Sequence, residues 1–237
     1  KQILERESMK YGFIFDLDGT LIDTQLLFHA KAESIIFSQH GLNFEPAEIS
    51  ARYAGISTRK IFEDLLPQQD ADRLVRQKWE IMDQLVRINP PIALPGMLEV
   101  CRFLKSRSIP IIIASASPRS WIKLCLGQPV NTNNRCSLNL LDVFGDNYVS
   151  AEECENGKPA PDVFLLGKDT LAIPDPDNVI DWTVVGDGES DVAGGLAAGM
   201  KVLFLSNDNK SFDTHPNVKR FPNSIRLANH IKDLVAA

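Results

Sequence analysis

The chain has 237 residues, of which 44% are hydrophobic and 24% charged, enough for one large or two modest domains with a proper core. A net charge of -6 and the lack of any dense Lys/Arg stripe argue against a nucleic-acid surface. No apolar run approaches the roughly 20 residues of a membrane span, and Lys1 to Lys10 lack the apolar segment of a secretory signal.

Residues 1–8 are expected to be a flexible or expression-derived leader, with Met9 as a natural start. Tyr11–Leu17 is a predicted strand whose apolar run stops at Asp16 and Asp18 and passes into Gly19-Thr20-Leu21. From Asp23 to about Asn89 there is no good strand; the spacing predicts helices over about 24–40, 57–66 and 70–88, with Phe62 and Trp79 in their packing. This reads as a helical cap, residues 23–91, inserted after the first strand. Residues 22–24 and 89–95 would be its hinges, the exit punctuated by Pro90-Pro91 and Pro95-Gly96. Helices are then predicted at Met97–Ser106, Pro118–Leu126, Asp162–Leu171 and Asp191–Ala198. They alternate with strands at Ile109–Ala114, Asn147–Ser150, Trp182–Gly186 and Lys201–Leu205.

Those strands are β-branched-rich and do not alternate, which is how strands buried on both faces of a parallel sheet read. The expected fold is therefore α/β: a doubly wound, Rossmann-like parallel sheet built from residues 9–22 and 92–237, carrying the cap. Polar stretches at 131–134 and 174–178 lie in two long connections, 127–142 and 173–181. Gly194, Gly195 and Gly199 suit close helix packing and a terminating turn. The four cysteines, Cys101, Cys125, Cys136 and Cys154, form no CxxC pair and have no His at zinc-ligand spacing, so reduced structural thiols of a cytoplasmic protein are expected.

The chemistry collects at strand ends. Carboxylates at i and i+2 near strand geometry point to one side, where they repel unless a cation lies between them or one is protonated. Ligands of doubly wound sheets sit beyond the carboxyl ends of the strands. There the chain offers Asp16 and Asp18, then Ser115-Ala116-Ser117-Pro118-Arg119, then Gly157-Lys158-Pro159, then Gly186-Asp187-Gly188-Glu189-Ser190-Asp191. Carboxylates, a hydroxyl and an ammonium are what a phosphate and a hard cation require. Magnesium prefers oxygen ligands and is bound by one or two carboxylates with phosphate and water; Asp16 and Asp187 can supply them. Lys158 adds a point charge, and the Ser115 hydroxyl with neighbouring backbone N–H groups, that of Ala116 included, can take phosphate oxygens. The chemistry would be covalent, through an aspartyl-phosphate, with Asp18 moving the proton of the leaving alcohol and then of water.

In this order the residues resemble the haloacid dehalogenase-like superfamily: DxDGT(L) over Asp16–Leu21, a Ser ending an apolar strand at Ser115, Lys158-Pro159, and GDxxxD over Gly186–Asp191. The resemblance spans Tyr11 to about Ser206 and implies Asp16 as nucleophile and Asp18 as acid/base. It implies a magnesium ion held by Asp16, the Asp18 carbonyl and Asp187, with Asp191 supporting that site from behind. Ser115 and Lys158 would bind phosphate. The inserted cap resembles the phosphoglycolate phosphatase and β-phosphoglucomutase branch, in which the loop Gly55-Ile56-Ser57-Thr58-Arg59 would bring Arg59 to the substrate.

His29 is expected near the cleft, and Ser117 as a helix N-cap ahead of Pro118. Asp18 disfavours dehalogenase and phosphonatase readings, and Gly186-Asp187 in place of Glu-Asp tips the choice from mutase to hydrolase. The expected activity is magnesium-dependent hydrolysis of a small phosphomonoester such as phosphoglycolate or a sugar phosphate. The alternatives are a β-phosphoglucomutase-like mutase or a non-catalytic phosphate-binding protein. The expected partner is a small phosphorylated metabolite, with neither nucleic acid nor membrane, and the expected state a monomer or weak homodimer.

Overall fold

The computed structural model describes residues 11–53, 56–130, 138–171, 180–207 and 214–236. The expectations for residues 1–8, Gly55, Cys136 and the polar stretches at 131–134 and 174–178 fall outside them. In chain order, β1 (Tyr11–Phe15) and the short β2 (Ile22–Asp23) lead into a π-helical turn over Gln25–His29. Then come α1 (Ala30–Gln39), α2 (Pro46–Arg52), α3 (Thr58–Leu65) and α4 (Ala71–Ile88). β3 (Ile92–Ala93) returns antiparallel to β2, pairing Ile22 with Ala93 and Asp23 with Ile92. Next are α5 (Met97–Ser106), β4 (Ile111–Ser115) and α6 (Arg119–Gly127). The ribbon β5 (Pro129–Val130) and β6 (Leu138–Asn139), α7 (Leu141–Phe144) and β7 (Tyr148–Ser150) follow. After α8 (Asp162–Thr170) the chain runs through β8 (Asp181–Gly186), α9 (Glu189–Ala197), β9 (Lys201–Leu205), β10 (Val218–Phe221) and α10 (Ser224–Ala236).

The main sheet has the order β10-β9-β8-β1-β4-β7 with every pairing parallel, so it is the Rossmann-like α/β sheet expected from the sequence. Its two faces explain the non-alternating strands. Phe13, Phe15, Ile111, Ile113 and Val185 pack into one core with α5 and α6 residues, while Ile14, Ile112, Val184 and Val202 pack into another with Phe164 and Val192. Both faces of β1, β4 and β8 therefore bury apolar side chains, and each fully buried one contributes about 1.5–3 kcal/mol. The helix glycines serve the second core: a Cβ on Gly194 would lie 2.7 Å from the Phe164 ring.

The helices between β2 and β3 have their own packing, with Ile36, Phe37, Ile49, Ile61, Phe62 and Leu74 fully or almost fully buried. Ser57 accepts from the Lys60 N–H and Asp70 from the Asp72 and Arg73 N–H groups, so side chains satisfy the first turns of α3 and α4. Phe28, Ala32, Met82 and Val86 belong instead to the core that contains Trp121, and this joins the inserted helices to the sheet. Besides the ribbon β5–β6 and the short α7, three elements differ from expectation. α2 was not predicted, because seven residues hold too little periodicity. β10 is an edge strand with two cationic residues, Lys219 and Arg220, as sheet edges favour. The third, α10, follows it as a terminal amphipathic helix packed on α5 through Leu227, Ala228 and Ile231.

Candidate active site

β1, β4, β7 and β8 are neighbours in a parallel sheet, so their carboxyl ends open on one edge. Asp16 follows β1 directly, its N–H still donating to the Val185 carbonyl at 2.8 Å. Ser115 ends β4, Lys158 lies in the loop after β7, and Asp187 follows β8. Four segments far apart in sequence are thus brought to one place by strand order.

Lys158 is the hub. Its Nζ donates to Asp16 Oδ1 at 2.6 Å and to Asp191 Oδ1 at 2.7 Å, with its side chain 4% exposed. Asp191 Oδ2 accepts from the Gly188 N–H at 2.9 Å, so one carboxylate caps α9 and anchors the lysine. Asp187 Oδ1 accepts from the Thr20 hydroxyl at 2.9 Å, which locks its orientation. Asp16, Asp187 and Asp191 each offer an oxygen within 4.8 Å of the others.

Three carboxylates against one ammonium leave surplus negative charge in a buried place. Burial pushes the Asp16 carboxyl well above its ordinary range, Lys158 opposing and Asp191 and Asp187 adding to the rise. Burial, then Asp191, raise Asp187 to about 7. For Lys158, burial works against the charge but Asp16 and Asp191 outweigh it and hold the ammonium above its usual value. A hard divalent cation fits this donor set: it takes oxygen ligands and relieves the repulsion. Both Asp191 oxygens are already engaged, so Asp16 and Asp187 are the carboxylates able to face such an ion. Lys158 occupies Oδ1 of Asp16, and among the described residues nothing donates to Oδ2.

Gly19 makes the turn possible. Its φ is +86°, and a Cβ there would lie 2.3 Å from Asp187 Oδ2.

Asp18 sits apart from this cluster. Its Oδ2 accepts from the Ser117 hydroxyl at 2.6 Å and its Oδ1 from the Trp121 indole at 3.0 Å, with His29 Nε2 at 3.6 Å. Burial would raise its pKa, but contacts with His29, Ser117 and Trp121 win and bring it to about 2. The two aspartates therefore diverge, one toward a cationic hub and the other into a nest of donors.

Ser117 corrects the sequence reading. Its hydroxyl makes no helix cap; Pro118 occupies that position without a side-chain bond, and Ser117 holds Asp18 instead. Its N–H donates to Ser115 Oγ at 3.0 Å and its carbonyl accepts from Ser150 Oγ at 2.8 Å, so the loop is fixed from both sides. Ser115 is buried and Ala116 exposed at the tip. Arg119 ties the same loop to the one carrying Lys158: it pairs with Glu153 at 2.8 Å and lies over the Tyr148 ring.

His29, Trp79 and Trp121 form a cluster of mutually inclined rings between the inserted helices and α6. Sequence reasoning placed His29 near the cleft but missed Trp121, whose position in the first turn of α6, just after the Ser115–Ser117 loop, could have suggested it. Arg59 is not brought to the cleft. Its guanidinium, on the exposed side of α3, is bound by Glu63 and Asp72. The inserted helices instead bury Lys78 of α4, which lies 2.9 Å from Glu33 and also donates to the Thr58 hydroxyl. Burial lowers the pKa of Lys78, Glu33 opposing.

A family model for haloacid dehalogenase-like hydrolases matches residues 12–199, and the chain belongs to that family. A protein named probable pseudouridine-5'-phosphatase from Drosophila melanogaster is 26% identical over 200 residues, covering 81% of this chain and 80% of its own. Hexitol phosphatase A of Escherichia coli is 31% identical over 199 residues, covering 82% of each. In fold, a family IA hydrolase from Entamoeba histolytica superposes with a TM-score of 0.75 at 18% identity, over 96% of this chain and 100% of the other. The chain is an enzyme, a phosphoric monoester hydrolase of this family. Among the described residues, no helix is long and apolar enough to cross a membrane.

Proposed function

We propose that the chain hydrolyses a small phosphomonoester, phosphoglycolate-like or sugar-phosphate-like, with magnesium and through a phosphorylated Asp16. The observation that carries this reading is the separation of the two aspartates: Asp16 bound to Lys158 at 2.6 Å, Asp18 held by Ser117 at 2.6 Å and Trp121 at 3.0 Å. In this reading residues 9–22 and 92–237 form the catalytic core and residues 23–91 the cap that covers it.

Asp16, the Asp18 carbonyl and Asp187 would hold magnesium, with Asp191 bracing Lys158 behind them; the ion supplies charge neutralisation for the phosphate. Lys158 opposes protonation of Asp16 and aims it. The Ser115 hydroxyl and the Ala116 N–H bind phosphate oxygens. Asp16 Oδ2 attacks phosphorus as the bond from phosphorus to the leaving oxygen breaks, and Asp18 delivers a proton to that oxygen. Asp18 is ionised in the free protein, so this proton is taken up with the substrate. The carboxylate then accepts a proton from the water that cleaves the aspartyl-phosphate. Phosphoryl transfer asks mainly for positioning and charge stabilisation, which a rigid, hydrogen-bonded cluster provides.

The test is a panel of metabolite phosphates with magnesium, measured for released phosphate and for isomerised product. Phosphate release is expected. No turnover of any member by folded, magnesium-loaded protein would refute the enzyme reading, and isomerisation without phosphate release would make the protein a mutase.

A further inference from the structure

A cavity of about 220 Å³ is lined by residues of the inserted helices. Its wall on the sheet side is His29, whose Nε2 is buried, 3.6 Å from Asp18 Oδ1 and without a hydrogen-bond partner. Glu33, Thr58 and Lys78 line it too, as do Gln25 and Tyr53. His29 is thus shared between the two, lining the cavity and touching Asp18.

The charge balance of the cavity is its informative property. Lys78 Nζ lies 2.9 Å from Glu33 Oε1, and both side chains are at most 5% exposed. Thr58 donates to that same carboxylate oxygen at 2.8 Å. The ammonium is thus compensated within the wall, and the cavity presents no net charge of its own. It presents donors and acceptors side by side: a carboxylate, an ammonium, a threonine hydroxyl, an amide, a phenol and an imidazole. A second anion on the substrate, whether carboxylate or phosphate, would be drawn by Lys78 but repelled at similar range by Glu33. A hydroxyl suffers no such conflict, since it donates to Glu33 and accepts from Lys78 with one oxygen.

We propose that the Glu33–Thr58–Lys78 network selects substrates whose leaving group is an uncharged polyhydroxylated chain or ring, a polyol or sugar monophosphate, over those carrying a second anion. This rests on the phosphatase reading above and narrows it. Of the two substrate types considered there, it retains the sugar phosphate and rejects phosphoglycolate. Sites that hydrogen-bond a substrate hydroxyl discriminate strongly, because an analogue without it leaves buried polar groups unpaired.

The experiment compares kcat/KM for a hexitol phosphate and for phosphoglycolate, both with magnesium, in the parent and in Glu33→Gln and Thr58→Val. The ratio of the two substrates on one preparation does not depend on how much protein is folded. The parent is expected to favour the hexitol phosphate by at least about a hundredfold. Glu33→Gln leaves Lys78 uncompensated, so phosphoglycolate is expected to gain in absolute terms and the ratio to fall at least about tenfold. A gain of this kind cannot come from misfolding. Should Glu33→Gln not fold, Thr58→Val carries the test through a several-fold fall in the same ratio. A parent that prefers phosphoglycolate, or a ratio unchanged in the variants, overturns the proposal while leaving the phosphatase reading intact. Absence of turnover on both substrates and on p-nitrophenyl phosphate overturns the two together.

Discussion

Asp187 should make the stability of the metal-free protein rise as the solution is acidified. Its carboxyl stands at about 7 against an ordinary 3.8, raised by burial and by Asp191. Between those values the native state holds a proton that the unfolded chain has released. Stability therefore falls as pH rises through this window, and the full cost is present above 7. Three pH units at 1.36 kcal/mol each give about 4 kcal/mol as the upper bound. For a chain of this size that corresponds to about 8–16 °C in melting temperature. His29 acts oppositely: burial and Lys78 lower its pKa, so acidification below its ordinary value costs stability. His29 is common to both proteins, so Asp187→Asn removes the Asp187 carboxyl together with its push on Asp16. Without metal the variant is expected to melt higher than the parent at pH 8 and alongside it near pH 4. Magnesium is expected to raise the parent's melting temperature most at pH 8, progressively less toward pH 5, and the variant's little at any pH. Thermal denaturation in EDTA or magnesium across that range measures all of this. A metal-free variant no more stable than the parent at pH 8, or an equal response of both to magnesium, would refute the reasoning.

Ser117→Ala removes a donor from Asp18 and is expected to lower kcat about ten- to a hundredfold with little change in KM. Because that donor helps hold Asp18 at about 2, the acidic limb of the pH–rate profile should move upward; an unmoved limb would show that Ser117 does not act through Asp18. Gly19→Ala forces a Cβ against Asp187 at a backbone φ of +86°, so magnesium affinity measured by calorimetry should fall by at least about tenfold. Cys101 and Cys125 are buried and burial raises both thiols, so alkylation of the native protein at pH 8 should spare them and label Cys154; equal labelling would contradict the packing.

The sheet was legible because a strand buried on both faces carries an unbroken apolar run, as Ile111–Ala114 does in β4 and Val184-Val185 does in β8. The strand ends were legible because Asp16, Lys158 and Asp187 are costly to bury and intelligible only together. Contacts across the cleft between the inserted helices and the sheet were not. Arg59 and Lys78 are both helix cations in the sequence, and only packing decides that one pairs on the surface with Glu63 and Asp72 while the other is buried against Glu33. Ser117 ahead of Pro118 carries a helix-cap signature, and the local rule lost to a carboxylate 99 residues away. β10 was hidden for a different reason: an edge strand needs apolar residues on only part of its surface.

The central claim is that Asp16 is the residue that becomes phosphorylated. Acid-quenching the magnesium-loaded protein during turnover of a phosphomonoester, then mapping the phosphoryl group by mass spectrometry, tests it directly. The account predicts one phosphoryl group on the peptide carrying Asp16 and none in Asp16→Asn. Phosphate trapped on any other residue, or retained in Asp16→Asn, would contradict it.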